Sequence, residues 1–354
     1  MKNNYIRSFI ITCLVFLVSC SSQIDQNTLD KYKYGVILSE QRGKSELQLY
    51  TEDGDLVDTK KIAASGVDEN GSAYLNGPQF ENENWYIGVA SDSKSQDFII
   101  KIDPETLTVD KVPANVGDQY LYTGYTVDED NLYTFYSTPG KGTHIIKSRM
   151  SNNEVLKEKY IKNSLLLHVI PKDDKVILVS DDLTESGMYI RIANEDTLEI
   201  EKEFKIADYL FTTDIFIKEN NLYMLPAVDS EDTLINQLLV FNIRNGKWQT
   251  VELPFKNARY LRAVDDHFYI IEQPEPDIDP DRHTIAKLDI ETLAIEDTFT
   301  FDFASREVIF EGDRMISSSD DKIYIYNTDD FELINEIEIS NPKDMMFGSL
   351  LVKP

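Results

Sequence analysis

An acidic loop holds the residues of this sequence best suited to binding a metal ion. The segment from Glu272 to His283 reads EQPEPDIDPDRH, with aspartates at Asp277, Asp279 and Asp281. Three convergent carboxylates would suit Ca²⁺, which takes six to eight oxygen ligands. The prolines stiffen the segment, but it lacks the glycine of an EF-hand loop, and alternating side chains also reach solvent. The segment therefore predicts a calcium site, a rigid solvated loop or a protein-contact loop.

Two arginines stand out in this acidic chain as residues that could bind an anion. Arg259 and Arg262 lie three residues apart, and guanidinium groups bind carboxylates and phosphates through a planar fork of N–H donors. The alternative is that they pair with nearby acids, such as Asp265, Asp266 or Glu307.

The sequence identifies no catalytic residue set. The four histidines, His144, His168, His267 and His283, are scattered without the short spacings of metal ligands. No Gly-x-Ser-x-Gly nucleophile motif occurs. The run from Pro139 to Thr143 lacks the spacing of a phosphate-binding loop and predicts a hairpin turn.

A hairpin that recurs seven times supplies the elements that must position these groups. Each copy is an apolar strand, a polar turn and a strand of alternating character, as in FIIKIDPETLTVDKV from Phe98. The residues that open the turns are Glu52, Asp103, Ser151, Asn194, Asn242, Asp289 and Asn327. Their mean spacing of about 46 residues is typical of propeller blades. With further Val-, Ile-, Tyr- and Phe-rich strands between the hairpins, this predicts an all-β, seven-bladed β-propeller of four-stranded antiparallel blades.

The two ends of the chain are predicted to close the ring. The first unit lacks an inner strand, and a spare strand, Asp344 to Val352, follows the last hairpin. Placing that C-terminal strand innermost in the first blade removes the bare sheet edges of an open ring. The 19 Tyr and 17 Phe residues are expected to fill the wedge-shaped gaps between blades as core.

The predicted binding face is the mouth of the central channel. Loops that enter inner strands, and loops that join second to third strands, meet there together with the acidic loop. The candidate ligand-binding residues on this face are Asn76, Tyr122, Asp214, Arg259 and Arg262.

The first twenty residues have the pattern of an export signal. Lys2 and Arg7 precede an apolar run of about eleven residues, which is too short to span a bilayer. Leu17 to Cys20 follows and resembles the lipobox of bacterial lipoproteins, which implies lipidation of Cys20 and anchoring to a bacterial membrane. The predicted division is a signal peptide (1–19), a lipidated tether (20–30) and a propeller domain (31–354).

Charge and cysteine content exclude several classes of function. The net charge is −28, and removal of residues 1–19 leaves −30, so phosphate backbones are repelled and nucleic acid is excluded as a partner. Cys13 is the only other cysteine, so the exported domain would have no disulfide or thiolate metal site.

The hairpins also resemble those of bacterial surface propellers of the YVTN and quinoprotein-like type. The resemblance lies in IDPETLTV at Ile102, LDIETLAI at Leu288 and FNIRNGKW at Phe241. It implies a seven-bladed propeller but no particular activity. Only Trp85 and Trp248 are present, so the tryptophan-docked ring of quinone-cofactor dehydrogenases cannot form.

These observations favour a non-enzymatic, extracytoplasmic lipoprotein. Its propeller would bind or scaffold a protein, peptide or glycan of the cell envelope, without a cofactor unless the acidic loop binds calcium. The alternative is a secreted propeller enzyme, a hydrolase or metal-assisted lyase, with acidic groups at the channel mouth. The sequence leaves the ligand, the oligomeric state and the type of envelope open.

Overall fold

A computed structural model describes most of the chain. The described residues are 26–40, 44–64, 67, 79–89, 98–116, 124–138, 141–182, 184, 187–206, 209–229, 231, 233–272, 283–303, 305–341 and 345–354. They form one short helix, α1 (Gln26–Lys31), and 28 strands. In chain order the strands are β1 (Tyr32–Ser39), β2 (Ser45–Thr51), β3 (Leu56–Ile62), β4 (Gln79–Glu81), β5 (Asn84–Ile87), β6 (Phe98–Ile102), β7 (Val109–Pro113), β8 (Gly124–Asp128), β9 (Asn131–Thr138), β10 (Gly142–Arg149), β11 (Glu154–Lys162), β12 (Ser164–Lys172), β13 (Lys175–Asp182), β14 (Met188–Asn194), β15 (Ile200–Lys205), β16 (Tyr209–Lys218), β17 (Asn221–Asp229), β18 (Gln237–Asn242), β19 (Trp248–Glu252), β20 (Ala258–Val264), β21 (His267–Glu272), β22 (His283–Asp289), β23 (Ile295–Phe301), β24 (Glu307–Glu311), β25 (Arg314–Ser318), β26 (Lys322–Asn327), β27 (Leu333–Glu338) and β28 (Met346–Val352).

The strands form seven four-stranded antiparallel sheets arranged in a ring, which confirms the predicted seven-bladed propeller. Blades 2 to 7 each contain four consecutive strands, from β4–β7 to β24–β27, and the first strand of each is innermost. Blade 1 has the order β28-β1-β2-β3. The inner strands therefore surround the channel, and the outermost strands face solvent.

The C-terminal strand closes the ring as predicted. β28 pairs antiparallel with β1, from Tyr34 opposite Val352 to Ser39 opposite Met346. The predicted strand began at Asp344, which lies outside the described residues. Because the first and last parts of the chain share one sheet, unfolding of blade 1 detaches the N-terminal and C-terminal strands from each other.

Burial follows the radial order of the strands. In blade 3 the second strand, β9, is buried along its middle, whereas the outer strand, β11, is mostly exposed. The apolar clusters lie between neighbouring blades: one joins Leu47 and Leu49 of blade 1 to Trp85 and Ile100 of blade 2. A fully buried side chain of this kind contributes about 1.5–3 kcal/mol to stability.

The hairpin between the third and outer strands explains the recurring sequence pattern. In five blades an Asp or Asn opens the turn, and its side-chain oxygen accepts nearby backbone N–H groups, as Asn194 Oδ1 does from Asp196 and Thr197. The residue four positions later has positive φ; these residues are Leu107, Leu198, Gly246, Leu293 and Phe331. Gly246 is required for space as well, because a Cβ there would lie 2.5 Å from the Phe204 ring.

Two of the seven turns differ from the prediction. The backbone hydrogen bonds of the hairpins make Thr51 and Arg149, rather than Glu52 and Ser151, equivalent to Asn327. The first turn is one residue shorter, since Thr51 N bonds to Asp55 O. The polar residues around these turns concealed the shift in register.

The predicted signal peptide and lipidated Cys20 lie outside the described residues, and the predicted domain boundaries stay predictions. Within the predicted tether, α1 places Leu29 in the apolar cluster of blades 1 and 2. No helix in the described part of the chain is long and apolar enough to cross a bilayer.

Candidate functional site

The structure describes three of the five predicted ligand-binding residues. Asp214 lies on β16, the inner strand of blade 5, and Arg259 and Arg262 lie on β20, the inner strand of blade 6. Asn76 and Tyr122 fall outside the described residues, as do Asp277, Asp279 and Asp281 of the proposed calcium loop. Their predicted roles stay predictions.

Asp214 and Arg262 form an ion pair across the boundary between blades 5 and 6. Asp214 Oδ2 accepts hydrogen bonds from Arg262 Nη1 at 2.6 Å and from Leu261 N at 2.8 Å. The side chains are 22% and 34% exposed, so the pair is partly shielded from water. One carboxylate oxygen therefore holds both the guanidinium and the adjoining strand.

None of the acids suggested as partners for the arginines is the ion-pair partner of Arg262 in the described residues. Asp265 and Asp266 form the turn after β20, and each strand residue adds about 3.3 Å. Glu307 Oε2 accepts a hydrogen bond from Leu350 N at 2.6 Å. Arg262 thus pairs with Asp214, a residue predicted to belong to the site itself.

A β-bulge displaces Arg259 from the regular ladder. The pairing of β20 with β21 shifts register between Ala258 and Tyr260, which leaves Arg259 as the extra residue. Such bulges redirect side chains. The guanidinium carbons of Arg259 and Arg262 lie 5.2 and 5.3 Å from the centre of the Tyr260 ring, so the aromatic ring supports both cations.

Polar side chains join the inner strands of successive blades around the channel. The bonds are from Val127 N to Gln79 Oε1, Thr126 Oγ1 to Val169 O, His168 Nε2 to Thr212 O, Thr213 Oγ1 to Ala258 O, Tyr260 OH to Arg306 O, and Leu350 N to Glu307 Oε2. Sequence reasoning missed these bonds because the residue types differ and each bond joins strands of two different blades. The bonds hold the wall that carries the arginines.

The histidines have structural roles in the described residues. Burial lowers the pKa of His168, which donates to Thr212 O, and also the pKa of His283, whose Nδ1 donates to Phe303 O. His144 pairs with Glu158, and His267 with Glu296. No group of three His, Cys, Asp or Glu side chains in the described residues could hold a metal ion.

A buried carboxyl group at the same end of the channel was not predicted. Asp181, near the end of β13, is 5% exposed; its Oδ2 accepts from Phe211 N at 3.2 Å, and its buried Oδ1 has no partner among the described residues. Burial raises the pKa of Asp181 to about 6. Phe211 has a φ of 57° and is 37% exposed, so this hydrogen bond holds a strained aromatic residue near the mouth.

Comparisons with solved structures support the fold. A dihydro-heme d1 dehydrogenase, NirN, has 12% identity and a TM-score of 0.57, covering 95% of this chain and 78% of NirN. A Bacteroides fragilis protein described as a candidate 6-phosphogluconolactonase has 14% identity and a TM-score of 0.59, covering 92% of this chain and 99% of its own. AztD of Citrobacter koseri has 9% identity and a TM-score of 0.52, covering 90% and 97%.

No protein-family model matches this chain, and no curated protein matches it. The solved structures share the propeller fold and have different described roles, so the fold alone assigns no activity.

Proposed function

We propose that this protein is a non-enzymatic, membrane-tethered binding module of the cell envelope. In this proposal Cys20 provides the lipid anchor, and the channel mouth of the propeller binds an anionic group on a peptide, protein or glycan. Arg259 and Arg262 are the residues that contact the anion.

The observation that carries the proposal is the pair of guanidinium groups on the Tyr260 ring. Arg262 is fixed by Asp214, so its position is set before a ligand arrives and less conformational entropy is lost on binding. Arg259 is directed by a bulge on the same strand. In a chain of net charge −28, a basic pair at the channel distinguishes this position electrostatically from the surrounding surface.

The ligand is expected to have a single accessible carboxylate rather than many charges. A polyanion would be repelled by the acidic surface, whereas one carboxylate entering the mouth meets the two guanidinium groups first. Charge-assisted hydrogen bonds to a guanidinium are about twice as strong as those between neutral groups. The remaining contacts would come from the loops around the mouth.

Binding is tested with two probes and their amidated forms, which lack the charge. The probes are a disaccharide that ends in glucuronic acid and a tripeptide with a free C-terminal carboxylate, titrated into the full chain in nonionic detergent by calorimetry. We expect at least one acid to bind about tenfold or more tighter than its amide. Mass spectrometry of the recovered probe should show no cleavage.

Four variants locate the binding. Arg259→Gln and Arg262→Gln should each weaken binding of the acid probe. Arg262→Lys should retain part of the affinity that Arg262→Gln loses. Arg149→Gln removes the same charge from an exposed arginine that pairs with Glu154 on blade 3 and should change nothing. Equal binding of acid and amide, equal losses in all variants, or turnover of a probe would contradict the proposal.

A further inference from the structure

An aromatic cleft opens on the outer side of the ring between blades 6 and 7. Its cavity volume is about 430 Å³, within the roughly 300–1,000 Å³ typical of small-molecule sites. Six aromatic side chains line it: Phe299, Phe301, Phe303, Tyr324, Tyr326 and Phe331. Three come from β23 and the residues after it, and two from β26.

The rings form two stacked pairs at the ends of the cleft and a buried floor between them. Phe303 stacks on Tyr324 with ring centres 4.0 Å apart, and Phe299 stacks on Phe331 at 3.6 Å. Phe301 and Tyr326 are 7% and 9% exposed. The arrangement is held by packing, so it exists before any ligand binds.

The backbone that carries Phe303 is also fixed. His283 Nδ1 donates to Phe303 O at 2.7 Å, and the imidazole lies 5.3–5.4 Å from the rings of Phe301 and Phe303. Because His283 is fully buried, this bond ties the end of the outer strand to the third strand of blade 6. The cleft therefore has a rigid aromatic wall.

The charged groups that line the cleft are both acidic. Asp302 and Asp330 line it and are exposed, and neither forms an ion pair with a basic side chain in the described part of the chain. Asp330 Oδ1 accepts from Glu332 N. Burial, followed by Tyr324, Glu336 and Asp302, raises the pKa of Tyr326 to about 12, so its phenol stays neutral and the negative charge of Asp302 reaches the cleft.

The paired tyrosines are particular to blade 7. Hairpin hydrogen bonds align the third strands of all seven blades. At the positions of Tyr324 and Tyr326 the other blades have Gln48 and Tyr50, Ile100 and Ile102, Ile146 and Ser148, Arg191 and Ala193, Leu239 and Phe241, and Ala286 and Leu288. Two aromatic rings at these positions are thus not a requirement of the propeller core.

We propose that this cleft is a second binding site, specific for a small organic cation with a methylated ammonium group. Aromatic faces attract such cations through their negative quadrupole, and Asp302 and Asp330 add direct charge attraction. An anion would be repelled by both carboxylates, and a neutral ligand would gain no charge attraction from Asp302 and Asp330. The site is separate from the channel mouth.

Choline tests the charge requirement against dimethylbutanol, its uncharged isostere in which carbon replaces the quaternary nitrogen. Each is titrated into the full chain in nonionic detergent and followed by calorimetry, with saturation-transfer NMR on the ligand methyl groups. We expect choline to bind about tenfold or more tighter than dimethylbutanol. Binding should weaken as sodium chloride is raised, since Asp302 and Asp330 are exposed to solvent.

Matched variants test the residues. Tyr324→Leu removes an aromatic ring but keeps an apolar side chain, and it should weaken choline binding about fivefold or more. Tyr324→Phe keeps the ring and should retain the affinity for choline. Asp302→Asn should also weaken choline binding, whereas Asp110→Asn, at an exposed position of the outer strand of blade 2, should not. Melting curves verify that each variant folds.

Several outcomes would overturn this site. They are no choline binding by the unaltered protein, equal affinity for dimethylbutanol, equal affinity in Tyr324→Leu, or binding of maltose in place of choline. Because Arg259→Gln lies on the inner strand of blade 6, it should leave choline binding unchanged. Failure at the channel mouth is thereby distinguished from failure at the cleft.

Discussion

Replacement of Asp181 by asparagine should raise the stability of the protein relative to the natural protein as the pH rises from 5 to 8. The Asp181 carboxyl is buried, and one of its oxygens has no partner in the described residues. Burial raises its pKa from 3.8 to about 6, so the folded state binds the proton more tightly than the unfolded state. Its stabilising contribution is complete below pH 3.8 and is lost as the pH rises through about 6.

The size of the effect follows from this difference in pKa. A change from 3.8 to about 6 corresponds to about 3 kcal/mol over the whole titration. The part lost between pH 5 and pH 8 is about 1 kcal/mol, because the folded carboxyl is mostly protonated at pH 5 and ionised at pH 8. The variant has no such proton, so its stability relative to the natural protein should rise by about 1 kcal/mol over this interval.

Urea denaturation at pH 5 and pH 8 measures this change. His168 and His283 also contribute to the pH dependence, with the opposite sign, because burial lowers the pKa of each and their stabilisation is lost as the pH falls. Both are present in the two proteins, so their contributions cancel in the difference. Asp297→Asn, an exposed change of the same type, serves as the control. A stability difference that is constant with pH, or that shifts in favour of the natural protein between pH 5 and pH 8, would refute the reasoning.

Three further changes test the fold. Deletion of residues 346–354 removes β28 and should sharply lower the melting temperature, because it reopens the ring; an unchanged melting curve would refute closure by this strand. Gly246→Ala should destabilise more than Gly312→Ala in urea titrations, since both have positive φ but only the first meets a ring, that of Phe204. Asp214→Ala should cost about 2 kcal/mol in the same assay by leaving a guanidinium and a backbone amide without their acceptor, and no measurable loss would exclude that role.

The number of blades and the closure of the ring were predictable because both follow from repetition. Each third strand must bury its apolar residues between two blades, and each hairpin must satisfy its turn, so Asp103, Asn194 and Asp289 recur at similar spacing. Closure followed from counting strands at the two ends. The predicted positions of the turns at Thr51 and Arg149 were wrong because several neighbouring polar residues could each open the turn.

The candidate site was predictable only in part. The unusual arginines in an acidic chain indicated Arg259 and Arg262, but their support by Tyr260 and by Asp214 depends on contacts across strands and blades. Asp181 and Asp182 are the last two residues of an apolar strand, so sequence alone does not distinguish the buried carboxyl from its neighbour. Such differences depend on local twist and on the loops that cover each strand.

The aromatic cleft shows why the number of aromatic residues does not predict which of them form a binding site. Most tyrosines and phenylalanines fill gaps between blades, as expected, and Phe268 or Tyr125 are fully buried. The alternating Phe299, Phe301 and Phe303 differ in lying where an outer strand meets the next blade. A sequence signal existed in this alternation together with Tyr324-x-Tyr326, but core packing gives the same pattern.

Both proposed sites involve blade 6, and the repeat explains why this is informative. A propeller fold requires similar inner, third and outer strands from every blade, so residues that serve the fold recur around the ring. The inner-strand bulge itself recurs, with Gly348, Leu167 and Thr213 at the equivalent position of blades 1, 4 and 5. The arginine at that position in blade 6 and the phenylalanine series at the outer edge of the same blade are side chains that depart from the recurrence. Since neither is required to close the ring or to fill a common position, binding gives a physical reason for each. The proposed ligands differ in charge, an anion at the channel mouth and a cation at the outer cleft, so the two sites can be tested separately.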